Sequence, residues 1–125
     1  MIAGVGTDIV AVARLEQLFK RHGQRAASRL LSLSECSEFS RSNEQGRFLA
    51  KRFAAKEAFG KALGTGLTAP ATLTNIAVAH DARGRPVFEY AEELSTLLEQ
   101  HGLIAHLSIS DERDYAVAVV IMERT

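Results

Sequence analysis

One segment of the chain places two charged side chains on an otherwise apolar helical stripe. The alanine-rich sequence over 44–63 predicts a long helix, on which residues four apart share one face. Leu49 and Phe53 begin one such stripe, and Glu57 and Lys61 continue it. Because an unpaired buried carboxylate is costly, Glu57 needs a cationic partner: Lys61, another part of the chain, or a metal ion. An ordinary Glu57–Lys61 pair on a solvated face would explain the same spacing.

A second carboxylate follows a glycine-containing segment near the start of the chain. Gly4 and Gly6 predict a tight turn after a short strand, and Thr7 or Asp8 would then cap a helix. Asp8 could serve only as that cap, or it could hold a cation. Together with Glu57, Asp8 would supply the oxygen ligands that a hard divalent ion prefers and often shares with a phosphate group.

Cationic side chains that could neutralise phosphate lie on the long helix and on a later strand. Alternation along that strand predicts His106, Ser108 and Ser110 on one face, which suits phosphate oxygens and equally suits solvent. On the helix, Arg52 and Lys61 are the other candidates. No histidine spacing is typical of a zinc site, and no serine lies in a nucleophile elbow. The residues alone therefore indicate a Mg²⁺-assisted phosphate-transfer site.

A basic segment near the N-terminus could bind a partner protein. It holds five basic residues and a single acid, Glu16, within sixteen positions. An ordinary solvated helix face would have this composition, and so would a docking surface for an acidic helical protein. The five basic residues are Arg14, Lys20, Arg21, Arg25 and Arg29.

Strands at both ends of the chain, with helices between them, must position these residues. This order predicts one α+β domain over 1–125, in which an antiparallel sheet packs against the long central helix. The predicted helices cover about 8–22, 25–31, 44–63 and 91–101, with one further helical turn near 34–39. The predicted strands cover 1–5, 75–79, 87–90, 106–110 and 115–123, the last two forming a hairpin.

Composition excludes several other classes of protein. Of the 125 residues, 46% are apolar and 24% are charged, which is typical of a globular domain. Formal net charge is zero, so no global charge favours nucleic acid or an anionic membrane. One cysteine, Cys36, allows no intrachain disulfide, and no apolar segment is long enough to span a bilayer. We expect a cytoplasmic protein with no signal peptide.

The motifs, taken in order, closely resemble the holo-acyl-carrier-protein synthase family of 4′-phosphopantetheinyl transferases. The similarity extends over nearly the whole chain, and its central block, 48–58, is highly specific. The matching segments are 4–10 with Arg14, then 33–35, 48–58, 61–66, 106–108 and 115–120.

This resemblance implies a phosphopantetheinyl-transferase-like fold that assembles as a homotrimer, with active sites at the subunit interfaces. It also implies residue roles that match the family motifs position by position. These are Mg²⁺ on Asp8 and Glu57, coenzyme A phosphates on Arg52, Lys61 and His106, and the acyl carrier protein on Arg14 and Arg21.

The implied reaction supports fatty acid biosynthesis. The serine hydroxyl of the apo carrier protein attacks the β-phosphate of coenzyme A, giving holo carrier protein and adenosine 3′,5′-bisphosphate. Lys61 would offset the developing charge, and either Glu57 or a water on the metal would take the serine proton. The alternative is a catalytically silent binding module for nucleotides or acidic helical proteins, which would not need both carboxylates.

Overall fold

Five helices and five strands make up the chain in the computed structural model, which describes all residues 1–125. The strands are β1 (Ile2–Ala11), β2 (Ile76–His80), β3 (Pro86–Tyr90), β4 (Leu103–Asp111) and β5 (Tyr115–Arg124). The helices are α1 (Val12–His22), α2 (Gln24–Leu30), α3 (Leu33–Ser40), α4 (Gln45–Leu63) and α5 (Glu92–Gln100). No helix is both long enough and apolar enough to cross a membrane.

The strands form two separate antiparallel sheets. A three-stranded sheet has the order β1-β5-β4, and the predicted hairpin of β4 and β5 supplies two of its strands. The other two strands, β2 and β3, pair only with each other. The predicted α+β class and the antiparallel sheet are confirmed, and the division into two sheets is a feature that the alternation patterns did not indicate.

Helix α4 packs along one face of the three-stranded sheet, here called the inner face. Its alanines, among them Ala54, Ala58 and Ala62, are buried and bring the helix close to the strands. The predicted limits of this helix are correct within one residue. It ends at Gly64, whose φ of 90° is the left-handed conformation that glycine adopts at low cost.

The prediction of a turn and helix cap at 4–8 is wrong. Strand β1 continues to Ala11, and Asp8 pairs with Ala118 of β5 instead of capping a helix. Gly4 and Gly6 serve close packing, because a Cβ on either would overlap a carbonyl oxygen of α4, that of Ala62 or Ala58. The glycines therefore let the strand lie against the helix, which brings Asp8 to the same helix.

Candidate functional site

Asp8 and Lys61 meet where β1 crosses the later half of α4. Lys61 Nζ donates hydrogen bonds to Asp8 Oδ1 at 3.1 Å and to the Thr7 carbonyl oxygen at 2.9 Å. The Asp8 side chain is 18% exposed and that of Lys61 is 52% exposed, so the pair is open to solvent. Two residues that lie far apart in sequence are thus brought together on the inner face.

Glu57 lies on α4 one helical turn before Lys61. Gly4 and Gly6 lie against Ala62 and Ala58, one helical turn apart. Two strand residues advance about 6.6 Å, close to the helical turn of about 5.4 Å, so the next inner-face residue, Asp8, lies near the turn that contains Glu57. The Glu57 side chain makes no hydrogen bond or ion pair within the chain, the residue is half-buried, and Lys61 binds Asp8 instead.

The carboxylates of Asp8 and Glu57 fit a divalent cation by their chemistry. Both supply hard oxygen ligands, both are partly exposed, and Glu57 has no cationic partner of its own. Lys61 Nζ beside Asp8 shows that a positive charge is stable at this position. The chain contributes no third carboxylate, histidine or cysteine, so a hard ion here would complete its shell with phosphate oxygens or water.

Arg14 of helix α1 lies beside the same stripe of α4. Its guanidinium carbon is 5.6 Å from the centroid of the Phe53 ring, within the range of a cation–π contact. Phe53 precedes Glu57 by one helical turn, so the contact fixes α1 beside the carboxylates. Arg14 and Arg21 are both exposed.

A groove continues this basic surface between α1 and α2. Its volume is about 340 Å³, and Arg25 and Arg29 border it. Leu18, Leu30 and Leu73 supply much of its apolar lining.

Arg52 lies in a different environment from the other predicted phosphate ligands. Its side chain is 4% exposed, and Nη2 donates to Glu38 Oε2 at 3.0 Å. Its Nε lies 3.3 Å from Glu35 Oε2, and its guanidinium carbon is 4.2 Å from the centroid of the Phe48 ring. The structure therefore does not bring Arg52 together with Lys61, because two carboxylates and an aromatic ring enclose its guanidinium.

Lys56 completes this buried cluster, and sequence reasoning missed it. Its ammonium is fully buried and lies 2.6 Å from Glu35 Oε1. Burial lowers the pKa of Lys56, and the charge of Glu35 opposes that shift. Two signals were available: Arg52 and Lys56 are like charges four apart on the helix, and Ser32 with Glu35 has the spacing of a capping box.

His106 lies on the outer face of the three-stranded sheet, opposite α4. The predicted alternation is correct: His106, Ser108 and Ser110 are exposed together. His106 Nε2 forms a 2.9 Å hydrogen bond with Glu123 Oε1, and this bond, with the charge of His106, lowers the pKa of Glu123. Within one chain, His106 is therefore separated from the carboxylates by the sheet itself.

His106 also borders a cleft of about 630 Å³ between the two sheets. Strand β4 forms one wall, and β3, with Arg85 just before it and part of α5, forms the other.

The comparisons with known proteins assign a class that agrees with this fold and site. The family model of the 4′-phosphopantetheinyl transferase superfamily matches residues 4–120. The chain belongs to this superfamily.

Individual relatives narrow the class. The holo-[acyl-carrier-protein] synthase of Dechloromonas aromatica is 58% identical over 98% of both chains. The crystal structure of the synthase from Neisseria meningitidis superposes with a TM-score of 0.96 at 46% identity, covering 99% of this chain and 100% of that one. A synthase from Bacillus anthracis, solved in complex with CoA (3′,5′-ADP), gives a TM-score of 0.83 at 33% identity over 100% and 99% of the chains. The predicted family and fold are confirmed.

Proposed function

We propose that this chain transfers the 4′-phosphopantetheine group of coenzyme A to a serine of apo acyl carrier protein. Its relatives of the same length are holo-acyl-carrier-protein synthases, and solved relatives contain coenzyme A or its nucleotide part. The observation that carries the proposal is the arrangement of Asp8, Glu57 and Lys61 where β1 meets α4. A silent binding module has no need for the second, unpaired carboxylate.

Magnesium is the ion that we propose for the two carboxylates. Asp8 and Glu57 would hold it, and the ion would neutralise the charge of the coenzyme A pyrophosphate when bound. This assignment rests on the oxygen ligands that Asp8 and Glu57 supply and on the ion pair that Asp8 already forms with the Lys61 ammonium.

The chain's own residues then act mainly by position and charge. The serine oxygen forms a bond to the β-phosphorus as the bond to adenosine 3′,5′-bisphosphate breaks, and the serine proton must leave. A carboxylate has two oxygens, so we assign the serine proton to the Glu57 oxygen that would not hold the ion. Lys61 is half-exposed and ends in three donors, so it can turn from Asp8 to the phosphate oxygens as they gain charge.

Coenzyme A would contact Lys61 on the inner face and His106 beside the cleft. We assign no coenzyme A phosphate to Arg52, because its guanidinium already forms ion pairs with Glu35 and Glu38.

We further propose that the chain is a homotrimer, with other copies covering the outer face. That face exposes apolar side chains on all three strands: Val5, Ile9, Ile104, Val119 and Ile121. A patch of this kind marks an association surface. A site that contains both His106 and Glu57 also needs two chains, because the sheet separates these residues within one. Val119→Asp should give monomers in light scattering, whereas Leu33→Asp, at an exposed position of α3, should leave the trimer intact. A trimeric Val119→Asp protein would contradict the assignment.

The carrier protein would bind the basic surface of α1 and α2. Arg14 and Arg21 supply positive charge, and the groove that Arg25 and Arg29 border extends this surface with an apolar lining. Such a surface suits an acidic helix with an apolar stripe. A cytoplasmic location remains a prediction.

The reaction itself is tested by weighing the carrier. The protein is incubated with coenzyme A, Mg²⁺ and apo acyl carrier protein, and mass spectrometry should show a gain of roughly 340 Da that a chelator abolishes. No gain with several carriers, while coenzyme A still binds, would favour the binding module.

A further inference from the structure

The buried ammonium of Lys56 holds three segments of the chain together. Its Nζ donates to the Leu30 carbonyl oxygen at 2.8 Å, to the Leu73 carbonyl oxygen at 2.8 Å and to Glu35 Oε1 at 2.6 Å. Leu30 ends α2, Leu73 lies in the loop before β2, and Glu35 belongs to α3. All three donors of one ammonium are thus used, each by a different segment.

Two of these segments form walls of the groove between α1 and α2. Leu30 and Leu73 both line it, and Arg25 and Arg29 border it. Lys56 therefore lies beneath this groove and bonds to the backbone of two lining residues. The next residue of α4 is Glu57, so the same helix supports the groove and carries the unpaired carboxylate.

A buried lysine at this position is energetically unfavourable. Removing an ammonium from water costs free energy, which the lowered pKa of Lys56 reflects. A methionine has similar volume without that cost, but it cannot bind two carbonyl oxygens at once. The directed bonds to Leu30 and Leu73 are what a lysine adds here.

We propose that Lys56 is a positioning residue that fixes the shape of the carrier-binding groove by tying Leu30 and Leu73 to the helix that carries Glu57. This inference rests on the proposed function, since it takes the acyl carrier protein as the ligand of the groove. Lys56 touches neither substrate. Because it bonds to two residues that line the carrier groove, its loss should change the KM for the carrier and not the KM for coenzyme A.

The test is the steady-state kinetics of Lys56→Met, with the carrier and coenzyme A varied separately. We expect the carrier KM to rise about tenfold, from two lost hydrogen bonds, while the coenzyme A KM stays within about twofold. Leu94→Ala is the matched control, because Leu94 is fully buried in α5, away from the groove. This control should lower stability by a similar amount and leave the carrier KM unchanged. An unchanged carrier KM in Lys56→Met, or an equal rise in both KM values, would overturn the inference.

A second variant covers the case in which Lys56→Met does not fold. The pair Glu35→Gln with Lys56→Met removes both charges, which is far less destabilising than leaving one buried and unpaired. Its carrier KM should remain raised, because the donors to Leu30 and Leu73 are still missing; a carrier KM equal to that of the unaltered protein would overturn the inference.

Arg21→Ala separates this inference from the proposed function. A raised carrier KM in Arg21→Ala with an unchanged one in Lys56→Met refutes only the role of Lys56. An unchanged carrier KM in Arg21→Ala refutes the docking surface, and the inference with it.

Discussion

Helix α4 carries two clusters of charge that differ in burial and in balance. In the buried cluster, Arg52 and Lys56 meet Glu35 and Glu38, so two bases face two acids. In the open site, Lys61 meets Asp8 while Glu57 has no partner, so one base faces two acids. The two clusters lie within ten residues of one helix.

The difference shows which charges are used for shape and which are available for chemistry. In the buried cluster, Glu35 accepts bonds from the Ser32 amide, the Val78 amide and Lys56, so its oxygens have no room for a ligand. The open site has a spare carboxylate and a lysine that solvent can reach. An excess of negative charge beside an exposed cation is what a metal ion and a phosphate substrate require.

The largest expected effect comes from neutralising the open site. Glu57→Gln and Asp8→Asn should each lower turnover by at least about a hundredfold, because the metal and phosphate charges lose their partner. Their free energies of unfolding should stay within about 0.5 kcal/mol of the unaltered protein, since both side chains are partly exposed. Rates from carrier mass spectrometry and urea unfolding test this. Full activity in either variant would remove that residue from the site.

Neutralising a carboxylate of the buried cluster should instead lower the stability of the protein more than its turnover. Glu35→Gln should cost about 3 kcal/mol of unfolding free energy, because Lys56 and Arg52 lose their shared charge partner. Turnover per folded molecule should fall much less than in Glu57→Gln. Urea unfolding and active-site-normalised rates measure both quantities, and unchanged stability would show that the cluster does not hold the fold.

The affinity for coenzyme A should distinguish Lys61 of the open site from Arg52 of the buried cluster. Lys61→Met should weaken binding about tenfold, through a lost charge-assisted bond to phosphate. Arg52→Met should leave the affinity of the folded protein unchanged and lower its stability. Isothermal titration gives both affinities, and a coenzyme A affinity lost in Arg52→Met alone would reverse the two assignments.

The smallest expected effect is at the contact between α1 and α4. Phe53→Leu keeps an apolar side chain and removes the ring beneath Arg14, so the carrier KM should rise roughly threefold. Combined with Arg14→Ala, it should add little, because the two changes remove one contact. Lys20→Ala, on another face of α1, is the control for the loss of one positive charge. Fully additive effects would show that Phe53 does not act through Arg14.

The sequence predicts α4 and the β4–β5 hairpin well, because their signals are local. Helix α4 is predicted by its alanine content and its end by Gly64, and β4 is predicted by the strict alternation around His106. Each of these signals lies within a few residues of the feature that it predicts. The segment 4–8 was predicted wrongly because glycine permits a turn and a close approach equally well. Only the packing of α4, some fifty residues later, decides between them.

The candidate site was predicted by residue type but not by partner. Lys61 was one of three possible partners of Glu57, beside another part of the chain or a metal ion, and it binds Asp8, because β1 extends past the glycines. Arg52 and Lys61 are both cations of α4 and differ in their surroundings. Glu35 of α3 forms an ion pair with Arg52 and does not contact Lys61. Contacts of this kind depend on tertiary packing, which no periodicity within one helix contains.

The most direct test of the open site is the binding of Mn²⁺, followed by electron paramagnetic resonance in the presence of coenzyme A. We expect the unaltered protein and Glu35→Gln to bind the ion, and Glu57→Gln and Asp8→Asn to lose most of this binding. Binding that survives in both Glu57→Gln and Asp8→Asn would contradict the assignment of these two carboxylates as the metal ligands.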